Sequence, residues 1–167
     1  MSQYEHTQRS PLHLILLAAA GMVAVFALMI PEPGARFVLL MVAALVGMLS
    51  ACFGQLTVRD DPPRLLVRYG PLPVFFWRFR WSDIESAEVG RTSWIDGWGI
   101  HWVPGRGTTF NLWGFDCVVL RVRGQVVRIG TDDAENLAEF IRSRIRTYQR
   151  NDGSESDYLS VKTEVSP

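Results

Sequence analysis

The chain has 167 residues, 17 Lys plus Arg against 17 Asp plus Glu, and two cysteines. A formal net charge of zero gives no electrostatic footprint for nucleic acid, and two cysteines without CxxC spacing exclude a disulfide framework. Hydrophobic residues make up 48% of the chain, and they are concentrated at its beginning.

Residues 1–10 form a polar leader. Two uncharged runs come next, Leu14 to Ile30 and Phe37 to Phe53. With flanking residues each reaches the roughly 20 positions needed to cross a bilayer. Each run carries nine Leu, Ile, Val or Phe residues, which together favour insertion by on the order of 3 to 5 kcal/mol. Residues 11–53 therefore read as a transmembrane helical hairpin with spans of about 12–30 and 36–53. Pro31, Pro33 and Gly34 are expected to enforce the reversal. Ala43, Gly47 and Ala51 make a small-residue stripe, a packing face for the first span or for a second copy of the chain. The connecting loop holds one acid and one base, Glu32 and Arg36, whereas Arg9 precedes the spans and Arg59, Arg64 and Arg68 come after them. The positive-inside bias places both termini and the folded domain in the cytoplasm. Cys52 lies in a span and Cys117 in a strand pattern, consistent with a reducing compartment.

After Gly54 the period changes to two, and residues 55–150 read as one soluble domain. Leu56 and Val58 alternate with polar neighbours up to the turn Asp60-Asp61-Pro62-Pro63. Leu65, Val67 and Tyr69 form the next inward set. Phe75, Trp77, Phe79 and Trp81 then share a face, with Arg78 and Arg80 on the other. Strands are expected over Ile84–Val89, Ile100–Val103 and Thr108–Leu112. Val118, Leu120 and Val122 are followed by an Arg123-Gly124 turn and by Val127 and Ile129, the pattern of a tight hairpin. Asp132 is the expected N-cap of a helix whose apolar stripe is Leu137, Phe140, Ile141, Ile145 and Tyr148. The domain carries 14 Arg against 11 acids, and residues 151–167 carry four acids against Lys162. That polar, Ser-rich segment is expected to be a disordered acidic tail.

The fold expected is thus membrane-anchored α+β: a two-helix hairpin, then a seven-stranded antiparallel barrel capped by a C-terminal helix. Particular residues add to this layout: Trp94-x-x-x-Trp98-Gly99-Ile100, the run Phe110-Asn111-Leu112-Trp113-Gly114-Phe115-Asp116, and Gly130-Thr131-Asp132-Asp133. In these the chain resembles the pleckstrin-homology-like domains of bacterial membrane-anchored proteins over roughly Leu56 to Tyr148. The resemblance implies a barrel-plus-helix fold behind a membrane hairpin at the bacterial cytoplasmic membrane. It implies no particular activity.

The residues that carry chemistry are sparse. His6, His13 and His101 are isolated in sequence, and no HExxH, Cys/His cluster or Walker loop occurs. Glu85 and Glu88 have opposite parity on a strand, so they do not form a carboxylate pair. The expectation is a non-enzymatic module without a cofactor. Some eukaryotic relatives of the fold grip inositol phosphates through basic residues between the first two strands. Here that turn carries Asp60 and Asp61 instead. Arg64, Arg68, Arg78 and Arg80 are candidates for contact with an anionic leaflet. Trp94, Trp98 and Trp113, in or beside Gly-rich loops, are candidates for loop clamps, partner contacts or interfacial anchors. The functional expectation is a protein-interaction or assembly module at the cytoplasmic membrane face. The alternatives are a sensor of anionic headgroups and a subunit of a membrane transport or enzyme complex.

Overall fold

A computed structural model describes residues 4–72, 74–93 and 98–164, with residues 151–164 as backbone only. Two long helices, α1 (Leu12–Met29) and α2 (Pro33–Cys52), form an antiparallel pair. Both are long and apolar enough to cross a bilayer, with mean hydropathy 2.4 and 2.1. Only 11% and 17% of these segments is buried, so they are not the core helices of a globular domain. Leu14, Phe26, Leu28, Phe37 and Leu45 all point outward. Ala20, Ala27, Ala43 and Ser50 are buried, whereas Ala51 is exposed, so the expected small-residue stripe turns inward mainly at Ala43.

Helix α2 starts three residues earlier than the sequence suggested. Pro33 suits a first helical position because its missing N–H needs no partner there. The Glu32 carboxylate accepts hydrogen bonds from the Gly34 and Ala35 amides. Those bonds favour its charged form and hold it below the ordinary carboxylate range. The reversal rests on Pro31-Glu32, and Arg36 closes it by donating twice to the Ile30 carbonyl.

The rest is α+β, with nine strands in two sheets among the described residues. The first sheet has the order β1 (Glu5–Arg9), β2 (Gln55–Asp61), β3 (Arg64–Tyr69), β4 (Phe76–Arg80), all antiparallel. A 3₁₀ turn at Trp81–Asp83 then carries the chain into the second sheet. That sheet contains β5 (Ile84–Arg91), β6 (Gly99–Val103), β7 (Gly107–Asn111), β8 (Asp116–Val122) and β9 (Gln125–Gly130), in the order β5-β8-β9-β7-β6. A final helix, α3 (Ala134–Glu164), packs on β5, β8 and the 3₁₀ turn.

Three expectations need correction. The sheets do not close into a seven-stranded antiparallel barrel: β5 leaves β4 and pairs with β8, and β7 runs parallel to β9. The leader is not outside the fold, because Glu5–Arg9 forms the edge strand on β2. The helix does not stop near Arg150. Its backbone continues through residues 151–164, the stretch read as a disordered tail, with Gly153 accommodated inside it. The tight hairpin is as expected, with Arg123 and Gly124 both at positive φ (49° and 75°).

Between the sheets and α3 lies one core built on Trp81, Tyr69, Phe110, Leu120, Leu137 and Ile141. Asp60 is fully buried within it. Its Oδ1 accepts from Trp81 Nε1 (3.2 Å) and its Oδ2 pairs with the Arg144 guanidinium. A carboxylate read as part of a polar turn is thus the internal tie between β2, the 3₁₀ corner and α3. The cap of α3 also shifts by one residue. Leu137 N–H bonds to the Asp133 carbonyl, while Asp132 instead contacts His6 at 2.5 Å. Tyr4 donates to Asp133 Oδ2 (3.0 Å), so the start of the chain is fastened to the start of α3. Burial, then that hydrogen bond, raises the Tyr4 phenol above its ordinary value.

Candidate interaction site

Strand direction fixes which end of the sandwich carries the helices. Strands β1 and β3 run toward the helix pair, and β2 and β4 run away from it. The β3–β4 connection therefore lies beside the end of α2. Gly70, at φ +66°, rests on the Ala51 and Cys52 backbone, where a Cβ would stand 2.5 Å from the Cys52 carbonyl. The Asp60-to-Pro63 turn is at the opposite end, one length of β2 away, roughly 20 Å at 3.3 Å per residue.

The candidate arginines occupy the outer face of the first sheet. Register puts Arg64 opposite Arg80 and Arg68 opposite Phe76, with Arg78 opposite Leu66. Arg9 and Arg59 share this face. The Nε atoms of Arg59 and Arg68 are enclosed, so their stems lie across the sheet and cover Thr57 and Leu66, which are buried on it. Arg78 sits 5.1 Å over the Phe76 ring and 3.9 Å from Asp61. Arg68 is thus near the helices, while Arg64 and Arg80 are at the far end.

The tryptophans belong elsewhere. Trp98 stacks on Trp113 with centroids 4.8 Å apart, in loops of the second sheet. The Trp113 carbonyl accepts from Gln8 Nε2 (2.9 Å), which ties its loop to β1. Buried Asn111 donates to the Gly114 carbonyl and packs against Gly130, where a Cβ would stand 2.1 Å from Asn111 Oδ1. The motif residues of this stretch therefore hold loop to sheet. Trp94 lies outside the described residues. The structure gathers the four arginines on one face and pairs Trp98 with Trp113, on different sheets.

Sequence reasoning missed a concavity. A cleft of about 380 Å³ opens between the sheets, lined by Trp77 and Phe79 of β4, Thr108 and Phe110 of β7, and Val122, Gln125 and Val127 beside the Arg123 turn. Its floor is aromatic: Phe110 lies 4.6 Å from Trp77 and 6.1 Å from Phe79 between ring centroids. One rim is fixed. Arg123 pairs with Asp83 (3.0 Å), and the Gly124 amide donates to Glu85 (2.8 Å). The other rim is β4, whose only sheet neighbour among the described residues is β3. Half of the backbone N–H and C=O groups of such an edge strand point away from its partner. The cleft also faces away from the helices. Strand β7 ends at Asn111, whose carbonyl takes the Tyr69 hydroxyl near the helix end, and β9 runs parallel to it, so Thr108 and Gln125 lie at the other end.

Among the described residues, no carboxylate, histidine or cysteine lines the cleft. The arrangement offers apolar surface, the Arg123 guanidinium, an amide, a hydroxyl and a strand edge that no described strand but β3 pairs, all of them means of binding. Among the described residues no group of three His, Cys, Asp or Glu side chains converges as metal ligands would. Neither known protein-family models nor curated proteins match the chain.

Proposed function

We propose that the protein is a membrane-tethered docking module, held by α1 and α2 in the cytoplasmic membrane, whose domain receives an extended segment of a partner protein in the cytoplasm. The observation that carries this reading is the edge of β4 that no other described strand pairs, beside the cleft of about 380 Å³. A partner strand added to β4 gains main-chain hydrogen bonds, and alternate apolar side chains enter the cleft over Phe110. The outward-facing Leu and Phe residues of both helices support the tether, since burying them in lipid removes them from water.

Photo-crosslinking in cells tests this. A photoreactive residue at Thr108 or Gln125 of the full chain is expected to capture one discrete protein, and the same probe at Glu88 is expected not to. Thr108→Arg should abolish capture from Gln125. Equal capture at all positions, or none at the cleft, overturns the reading.

A second reading has its own observation, six arginines (Arg9, Arg59, Arg64, Arg68, Arg78, Arg80) on one sheet face. Under it the domain senses anionic headgroups, at about 1 kcal/mol for each arginine that reaches the leaflet. It requires that protection of this face in vesicles depend on phosphatidylglycerol and be lost with Arg78→Ala plus Arg80→Ala.

A further inference from the structure

We propose that Leu72, Val74 and Phe76, between the end of β3 and the start of β4, form a third membrane contact, seated in the headgroup boundary beside the foot of α2. This rests on the reading of α1 and α2 as bilayer spans and adds to it a fixed orientation of the domain. Leu72, Val74 and Phe76 are exposed by 46%, 58% and 47%; Arg78 lies over one face of the Phe76 ring, and the described residues leave the rest of this apolar surface open.

Three observations make lipid the occupant. The first is position. Strand β3 runs toward the helices, so the residues after Tyr69 are carried to the level at which α2 ends. The second is attachment. Gly70 lies against the Ala51 and Cys52 backbone, and its amide donates to the Gln55 carbonyl (2.6 Å). Phe53, the residue after α2, has its ring 5.5 Å from Tyr69 and 5.9 Å from Phe75. The connection therefore cannot swing away from the helix end without dismantling that aromatic joint. The third is exposure and charge. Leu72 and Val74 follow Gly70, which lies on the end of α2, and they are exposed like the apolar residues of the helices; Arg68, paired in register with Phe76, places a cation at the level of an anionic headgroup. Apolar residues that enter such a boundary reach about 5–10 Å into it.

The test uses the full chain reconstituted in phosphatidylcholine vesicles containing phosphatidylglycerol. Both native thiols are buried, so a cysteine introduced by Val74→Cys takes a polarity-sensitive fluorophore selectively. Leu72→Cys is the second variant in case the first does not fold. The expected result is blue-shifted emission, quenched by nitroxide near the lipid headgroup and not by aqueous iodide. A label at Gln125→Cys should behave oppositely. A label at Leu45→Cys, within α2, reports on the bilayer reading itself and should be quenched by nitroxide deep in the acyl chains. If Leu45 is quenched while position 74 is open to iodide, the proposal fails and the spans stand. If Leu45 is open to iodide, the spans fail with it. Shielding of position 74 from both quenchers, relieved by dilution in lipid, would assign the cluster to a second copy of the chain and overturn the proposal.

Discussion

Arg9 and Gln55 face each other across adjacent antiparallel strands, although the whole of α1 and α2 lies between them in sequence. The helix pair is thus the loop of a β-hairpin, and the chain leaves and re-enters the sheet at one end. Ser50 Oγ donates to the His13 carbonyl (2.6 Å), and the Ser10 amide to the Gly54 carbonyl (3.3 Å), which closes the neck of this loop.

Removal of residues 1–9 should consequently weaken the domain and not only the helix pair. Each lost hydrogen bond removes about 0.5–1.5 kcal/mol. The Asp60 amide, which donates to the Tyr4 carbonyl (2.8 Å), should exchange with solvent much faster in the truncated chain. Unchanged exchange at Asp60 would show that β1 contributes nothing to the sheet.

Arg144→Met should leave the Asp60 carboxylate buried without its cation. Breaking a buried pair from one side destabilises by about 3–5 kcal/mol. Chemical unfolding of the full chain in micelles, followed by tryptophan near-UV signal, measures the loss. Asp60→Asn, which keeps an acceptor for Trp81 Nε1, should be milder, and the reverse order would contradict the pairing.

Gly70→Ala places a methyl group against the Cys52 carbonyl and forces a left-handed backbone on a residue with a side chain. The backbone alone costs about 1–2 kcal/mol. The joint between α2 and β3 should loosen, seen as increased mobility of a spin label at Phe75 with the labelled helices unaffected. A fully tolerated substitution would show that the joint is looser than described.

Stability should fall on the alkaline side. Burial raises the Tyr69 hydroxyl, which donates to the Gly99 carbonyl (3.0 Å), and raises Tyr4 as well. Both pKa values are higher folded than unfolded, so their contribution is complete below the ordinary value near 10.0 and is lost as pH rises above it. The slope for a fully shielded phenol is about 1.4 kcal/mol per pH unit. Tyr69→Phe should flatten the alkaline limb of a melting-temperature profile, and an unchanged limb would exclude the assignment.

The helices, the strands with alternating Leu, Val and Ile, and the stripe of α3 were legible because burial imposes periodicity on apolar residues. Strand β1 was not, since Glu5, His6, Thr7, Gln8 and Arg9 contain no apolar residue. It is an edge strand whose inward side chains, His6 and Gln8, meet hydrogen-bonding partners in place of the core. Asp60 beside Asp61-Pro62-Pro63 reads as a turn, because its partner Arg144 is distant in sequence. The cleft was hidden for a similar reason. Trp77, Phe79 and Phe110 read as core, and only the departure of β5 toward β8 leaves one side of them open. Parity alone sorted Arg64, Arg68, Arg78 and Arg80 to one face, but only register shows that they are spread along it.

The position of β1 ahead of the helices bears on how the molecule is made. Glu5–Arg9 is synthesised before every surface that this strand joins: β2 comes after the helices, and the Asp132 and Asp133 carboxylates come after the other described strands. Tyr4 and His6 can be seated only after both helices and the strands of the second sheet have been synthesised. Closure of the sandwich is thus a late step that joins residues far apart in order of synthesis.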